Sequence, residues 1–155
     1  MPTRRDLIRM APEEVAACLA GRRRIVLVSN GREGLPHPVP MNYGLDERGR
    51  VVMTSYARSQ KVRNLERDPR AVLLVETGER YQDLKAVILY CDVEILREPD
   101  VVRALAEQMR AAAGLGEAAA GPAPPPSSSP PKRVALRFTP FRTVSWDHAK
   151  LGGAY

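Results

Sequence analysis

The sequence predicts a mainly β protein: an antiparallel barrel of six or seven short strands with three flanking helices. Three observations carry that expectation. Apolar, β-branched runs recur along the chain, and most are separated by short turn signals such as Asn30-Gly31, Glu33-Gly34 and Asp46–Gly49. Strands and helices do not alternate regularly and no GxGxxG motif is present, which argues against a doubly wound parallel sheet. The length, 155 residues without an internal repeat, suits one domain that buries enough surface to fold without disulfides or a structural metal.

The elements follow in order. Residues 11–21 read as a helix, with Pro12 at its first position, Glu13 and Glu14 in its first turn, and Gly21 after its end. Val15, Cys18 and Leu19 mark its apolar face. Arg24–Asn30 is a β-branched strand. Pro38–Leu45 is a second, and its prolines at 38 and 40 require an edge or a bulge because they donate no ladder hydrogen bond. Val51–Ser55 is the third. Ser59 reads as the N-cap of a helix over Gln60–Asp68, with Pro69 just beyond. Ala71–Thr77 is a continuous apolar run, expected to be buried on both faces. Leu84–Leu96 is a long strand whose second half alternates. Pro99 opens a helix with Val101, Val102, Leu105 and Met109 on its apolar side. Arg133–Phe138 and Arg142–Trp146 are the last two strands.

Residues 121–131 read GPAPPPSSSPP, and this Pro/Ser-rich stretch supplies no core. It is expected to be a mobile loop within the 1–155 domain, because the chain after it is too short to fold alone.

Composition narrows the function classes. Aromatics are sparse, so the core is built mostly of Val, Leu, Ile and Ala. A net charge of +6, from 24 basic and 18 acidic residues, favours an anionic partner without choosing among them. Aromatics do not interleave with the basic clusters as in single-strand binders, and no helix-turn-helix pattern appears, so a nucleic acid is not expected. No segment reads as a bilayer span, and the basic start MPTRRDLIRM lacks the apolar core of a signal peptide. A cytoplasmic location is the default expectation. Cys18 and Cys91 lie far apart and outside any CxxC pair, so they read as small buried hydrophobes rather than metal ligands.

Three segments are candidates for chemistry. In VVMTSYARSQKVRN a strand ends at Thr54-Ser55, and a turn with Arg58 and Ser59 leads into a helix opening with Gln60-Lys61. Hydroxyls, two cations and a helix N-terminus suit an anion. The same residues also suit an ordinary capped helix with solvated basic side chains. In GLPHPVPMNY, Pro40, Met41 and Asn42 leave a strand face open to a flat ring, or simply guard an edge. His37 there is a proton-donor candidate, or an ordinary loop histidine. The terminal SWDHAKLGGAY holds the only Trp, Trp146, beside an Asp147-His148 pair; no nucleophile motif accompanies the pair, and a strand end anchored by Trp fits as well. The basic run Arg22–Arg24 reads as a solvated helix end or as a landing strip for an anionic tail.

Taken together, GxPHxxP, then TSxxRSxKxRNLxRDPR, then a long alternating strand, then SWDHxKLxGxY resembles the pyridoxamine 5′-phosphate oxidase-like split-barrel superfamily, in particular its flavin/deazaflavin oxidoreductase branch that uses coenzyme F420. The resemblance covers most of residues 11–155. It implies a six-stranded split barrel and a homodimer with cofactors at the subunit interface. The cofactor phosphate would fall on Thr54, Ser55, Arg58, Ser59, Gln60 and Lys61, and the ring along Pro40, Met41, Asn42 and Tyr43. Trp146 and His148 would approach from the other subunit, and Arg63 and Asn64 would orient the helix. The implied activity is hydride transfer between F420 and an unsaturated or heteroaromatic small molecule, with Tyr43, His37 or solvent as proton donor. FMN-dependent chemistry on the same fold and non-catalytic binding of F420, FMN or haem are the alternatives. The chain ends in KLGGAY, unlike the basic, polar ending of the true vitamin B6 oxidase.

Overall fold

The computed structural model describes residue 1, residues 3–113 and residues 132–152. The Pro/Ser-rich stretch 121–131 lies outside the described residues. Seven strands form one antiparallel sheet: β1 (Arg24–Asn30), β2 (Pro36–Asn42), β3 (Gly44–Leu45), β4 (Val51–Tyr56), β5 (Arg70–Thr77), β6 (Lys85–Leu96) and β7 (Arg133–Asp147). Among the described residues four α-helices flank them: α1 (Arg4–Leu7), α2 (Pro12–Ala20), α3 (Gln60–Arg67) and α4 (Pro99–Ala112). The spatial order is β2-β1-β5-β6-β7-β4-β3. Its two edges, β2 and β3, are separated in the chain by Tyr43 alone, so the sheet curls until its edges meet there. This is a mainly β barrel with a covalent seam in place of a hydrogen-bonded one. No helix among the described residues is long and apolar enough to cross a membrane.

The partition into elements differs from expectation at three places. The strand expected over Pro38–Leu45 starts at Pro36 and breaks at Tyr43, where the chain passes from one sheet edge to the other. The two expected C-terminal strands are one, β7, because Pro140 is absorbed in a bulge. Tyr90 pairs with Arg142 and Cys91 with Pro140, leaving Phe141 unpaired. The sheet therefore has seven strands rather than six, cut differently from the sequence reading. A short fourth helix, α1, forms on a capping box in which Thr3 and Asp6 exchange bonds.

The core fills the barrel. Leu27, Leu73, Leu89, Met53, Leu136 and Phe138 are buried, and they alternate along their strands with outward residues. Pro36, Pro38 and Pro40 share one parity on edge strand β2, so their missing N–H groups fall on the side away from β1. Strand β5 is not buried on both faces. Ala71, Leu73 and Val75 are buried, whereas Val72 and Leu74 are half-exposed. Register places Val72 and Leu74 beside Val26 and Val28 on β1 and beside Tyr90 and Ile88 on β6. Val144 and Trp146 on β7 continue this row, opposite Ile88 and Ala86. They do so because the extra residue Phe141 shifts the strand's parity and turns Val144 and Trp146 outward. The outer face of four strands is thus an apolar belt that no helix among the described residues covers. On β4 and the first half of β7, α4 covers the outer face through Leu105 against Val52 and Ala135.

Candidate functional site

A cleft of about 1280 Å³ opens where the sheet edges meet. Its walls are the end of α2 with Arg22, Arg23 and Arg24, the seam Pro40–Leu45, and the last turns of α4 with Met109 and Arg110. Thr54 of β4 and Arg133 of β7 close one end. The wall made by α4 depends on a close approach: a Cβ at Gly44 would lie 2.8 Å from Met109 Cγ. Gln108 Nε2 fixes the same helix by donating to the Leu45 carbonyl at 3.1 Å.

The cleft is strongly basic. Arg22, Arg23, Arg24, Arg110 and Arg133 line it, no acidic side chain does, and none of the five has a carboxylate partner among the described residues. Uncompensated guanidinium groups around a concave site create a field that favours anions. The edge strand adds backbone groups free of sheet pairing on one side. The set favours a ligand that carries anionic groups such as phosphate or carboxylate.

Pro40, Met41, Asn42, Tyr43 and Thr54 come together in this cleft. Tyr43 is held: its ring is buried and its hydroxyl donates to the Leu19 carbonyl at 2.6 Å. Burial pushes its pKa up to about 12. The phenol fastens α2 to the seam and has no proton to spare near neutrality. His37 sits on β2 opposite Ser29 and does not line the cleft.

Ser55, Arg58, Ser59, Gln60 and Lys61 adjoin the cleft at the Thr54 end but do not line it. Ser59 occupies the N-cap position of α3, yet its hydroxyl lies 3.1 Å from Ser55 Oγ and does not cap the helix. The backbone donors of the first turn therefore receive no side-chain cap from Ser59. Lys61 is half-buried. Burial, and then the charge of Arg133, hold its pKa below the usual lysine value. Arg58 is exposed.

Helix α3 is seated by Val62 and Leu65 and by a fully buried Asn64. Asn64 Nδ2 donates to the buried Ser29 Oγ at 3.0 Å, and its Oδ1 accepts from Gln60 Nε2 at 2.9 Å. Arg67 donates to the same oxygen at 3.3 Å. Asn64 thus ties the start of α3 to the barrel wall.

The C-terminal candidates do not join the cleft of their own chain. Trp146 is half-buried on the outer belt. Asp147 pairs with Lys85 at 2.8 Å and accepts from the Ala149 amide, while His148 Nδ1 lies 2.8 Å from the Tyr81 carbonyl. The Asp147-His148 neighbours form no relay. Lys150 instead bonds the Arg9 carbonyl and Glu14, clamping the two chain ends together.

Sequence reasoning missed Arg110 and Arg133. Arg133 Nη2 donates to Thr54 Oγ1 at 2.9 Å, and its guanidinium lies 4.9 Å from the centroid of the Tyr56 ring. No local pattern announces it, since it meets β4 only through the register that pairs Arg133 with Tyr56.

Residues 11–147 match the family model described as Pyridoxamine 5′-phosphate oxidase. A conserved hypothetical protein, Rv2991 from Mycobacterium tuberculosis, is 30% identical with a TM-score of 0.82, over 99% of this chain and 95% of that one. An F420 reductase shares the fold at 20% identity and a TM-score of 0.59, over 81% of this chain and 92% of its own. A heme storage protein from Vibrio cholerae shares it at 14% identity and a TM-score of 0.62, over 90% and 98%. No curated protein matches the sequence.

Proposed function

The chain belongs to the pyridoxamine 5′-phosphate oxidase family, and from that premise we propose that it is a cytoplasmic homodimeric oxidoreductase that binds F420 and transfers hydride between it and an unsaturated or heteroaromatic small molecule. The observation that carries the reading is the basic cleft: among the described residues, five arginines and no carboxylate line the walls around the seam Pro40–Tyr43. FMN is the alternative cofactor and would use the same phosphate groups. Its lack of a carboxylate tail would leave Arg22, Arg23 and Arg24 without a role, which favours F420.

When bound, the cofactor supplies the hydride chemistry. The protein's part is binding and orientation. Thr54, Ser55, Arg58, Ser59, Gln60 and Lys61 hold the phosphate with hydroxyls and charge. Pro40, Met41, Asn42 and Tyr43 hold the ring edge, and α4 forms the facing wall on which a substrate is selected. In this reading the accompanying proton comes from solvent, because the Tyr43 phenol is committed to Leu19. The apolar belt of Val26, Val28, Val72, Leu74, Ile88, Val144 and Trp146 supports a second copy docking on the outer face. Trp146 then lies at the subunit interface.

Absorbance and fluorescence spectra after adding F420 and FMN separately test the reading. Tight binding of F420, weakened by roughly 1.5–3 kcal/mol in Lys61→Ala as for a charge-assisted hydrogen bond, is expected. Turnover of quinones, nitroaromatics or enones with reduced F420 then distinguishes an enzyme from a cofactor carrier. Binding of neither cofactor refutes the assignment.

A further inference from the structure

We propose that Arg133, arriving from the far end of the chain, is a second cation of the phosphate site and grips the ligand phosphate opposite Lys61. This rests on the reading that the site takes a phosphorylated cofactor. Three features of the geometry point to it. First, the guanidinium is positioned in advance: Thr54 Oγ1 accepts one of its N–H groups at 2.9 Å and the Tyr56 ring lies beneath it at 4.9 Å. A guanidinium has five N–H donors, so several stay available for a bidentate grip. Second, Arg133 lines the cleft and also lies close enough to Lys61 for its charge to be felt there. It therefore joins the ring half of the site to the helix half, a link that none of the residues flanking Lys61 in sequence provides. Third, no carboxylate pairs with Arg133 among the described residues, although ten ion pairs are formed elsewhere. Two like charges held together without an acid repel each other, and a phosphate between them removes that repulsion.

The proposal also explains a feature of the fold. Tyr56 and Thr54 point to the outer face of β4, where α4 covers Val52 but not the strand's end. Arg133 occupies the uncovered end, next to the opening of α3.

The test compares each cofactor with the same ring lacking phosphate: FMN with riboflavin, and F420 with its chromophore freed of the phosphate and tail. Affinities are read by fluorescence quenching for the wild-type chain, Arg133→Gln and Arg133→Lys. Arg133→Gln should weaken binding of the phosphorylated ligands by roughly 10- to 100-fold, the range for a lost charge-assisted hydrogen bond. It should leave the phosphate-free rings unchanged, and Arg133→Lys should recover part of the loss. An equal loss for both members of a pair overturns the proposal and makes Arg133 a support for Thr54 and Tyr56. No loss for either member also overturns it. A wild-type chain that binds the phosphorylated and phosphate-free rings alike overturns the phosphate reading itself, and the proposal with it.

Discussion

Replacing Asn64 by alanine should lower stability by about 2 kcal/mol, with most of the loss tied to one partner. Asn64 and Ser29 are both fully buried, and their 3.0 Å bond is the contact between α3 and β1 that neither can replace with water. Removing one member strands the other, and a buried polar group left unpaired costs ~1–3 kcal/mol. The other two partners of Asn64, Gln60 and Arg67, are exposed and can turn to solvent, so they contribute little. Ser29→Ala should therefore cost about as much as Asn64→Ala, again ~1–3 kcal/mol. The double variant should cost scarcely more than either single, giving a coupling of about 1–2 kcal/mol. Urea unfolding at fixed pH measures all three, and each single should lower Tm by roughly 4–8 °C at this chain length. Simple additivity of the two losses would refute the argument that this pair seats the helix. Asn64→Ala should also weaken binding of a phosphorylated cofactor more than Ser29→Ala does, because only Asn64 holds Gln60 at the helix start.

Gly44→Ala should destabilise by ~1–3 kcal/mol through overpacking against Met109, and Gly44→Ala/Met109→Ala should recover most of the loss; a lack of recovery in thermal melts would show that the clash lies elsewhere. Leu74→Glu, a change on the half-exposed belt, should convert a sedimenting dimer to a monomer while leaving the far-ultraviolet spectrum intact; an unchanged mass would locate the contact on another face. Lys61 has a folded-state pKa below its ordinary 10.5, so between the two values the unfolded chain binds more protons and stability rises with pH. That rise, followed by denaturant melts in the window just below 10.5, should be reduced in Lys61→Met and also when phosphate is added; a rise that persists in Lys61→Met assigns it to another group. Phe138→Ala, which empties a fully buried site, should cost about 3–5 kcal/mol, and a loss under 1 kcal/mol would contradict its central place in the barrel.

What local sequence determined is what depends on near neighbours. Alternation in Arg24–Asn30, the turn glycines, Pro12 and Pro99 at helix starts and the apolar stripe of α2 each act over a few residues, so most of the elements were legible, as was the segment Pro40–Tyr43 that lines the cleft. The prolines of β2 marked an edge strand for the same reason, since a missing N–H is a property of the residue itself. Only the tertiary structure decided the rest. Apolar content in β5 does not say which face is covered; that depends on where α4 lies. A bulge at Phe141 reverses the side on which Trp146 emerges, and it arises from pairing with a strand some fifty residues earlier. Arg133 meets Thr54 across 79 positions because antiparallel register aligns β4 with β7, and five arginines form one basic cleft because the two edges of a curled sheet meet at Tyr43. Long-range register is set by the burial of the whole core, and no window of sequence contains it.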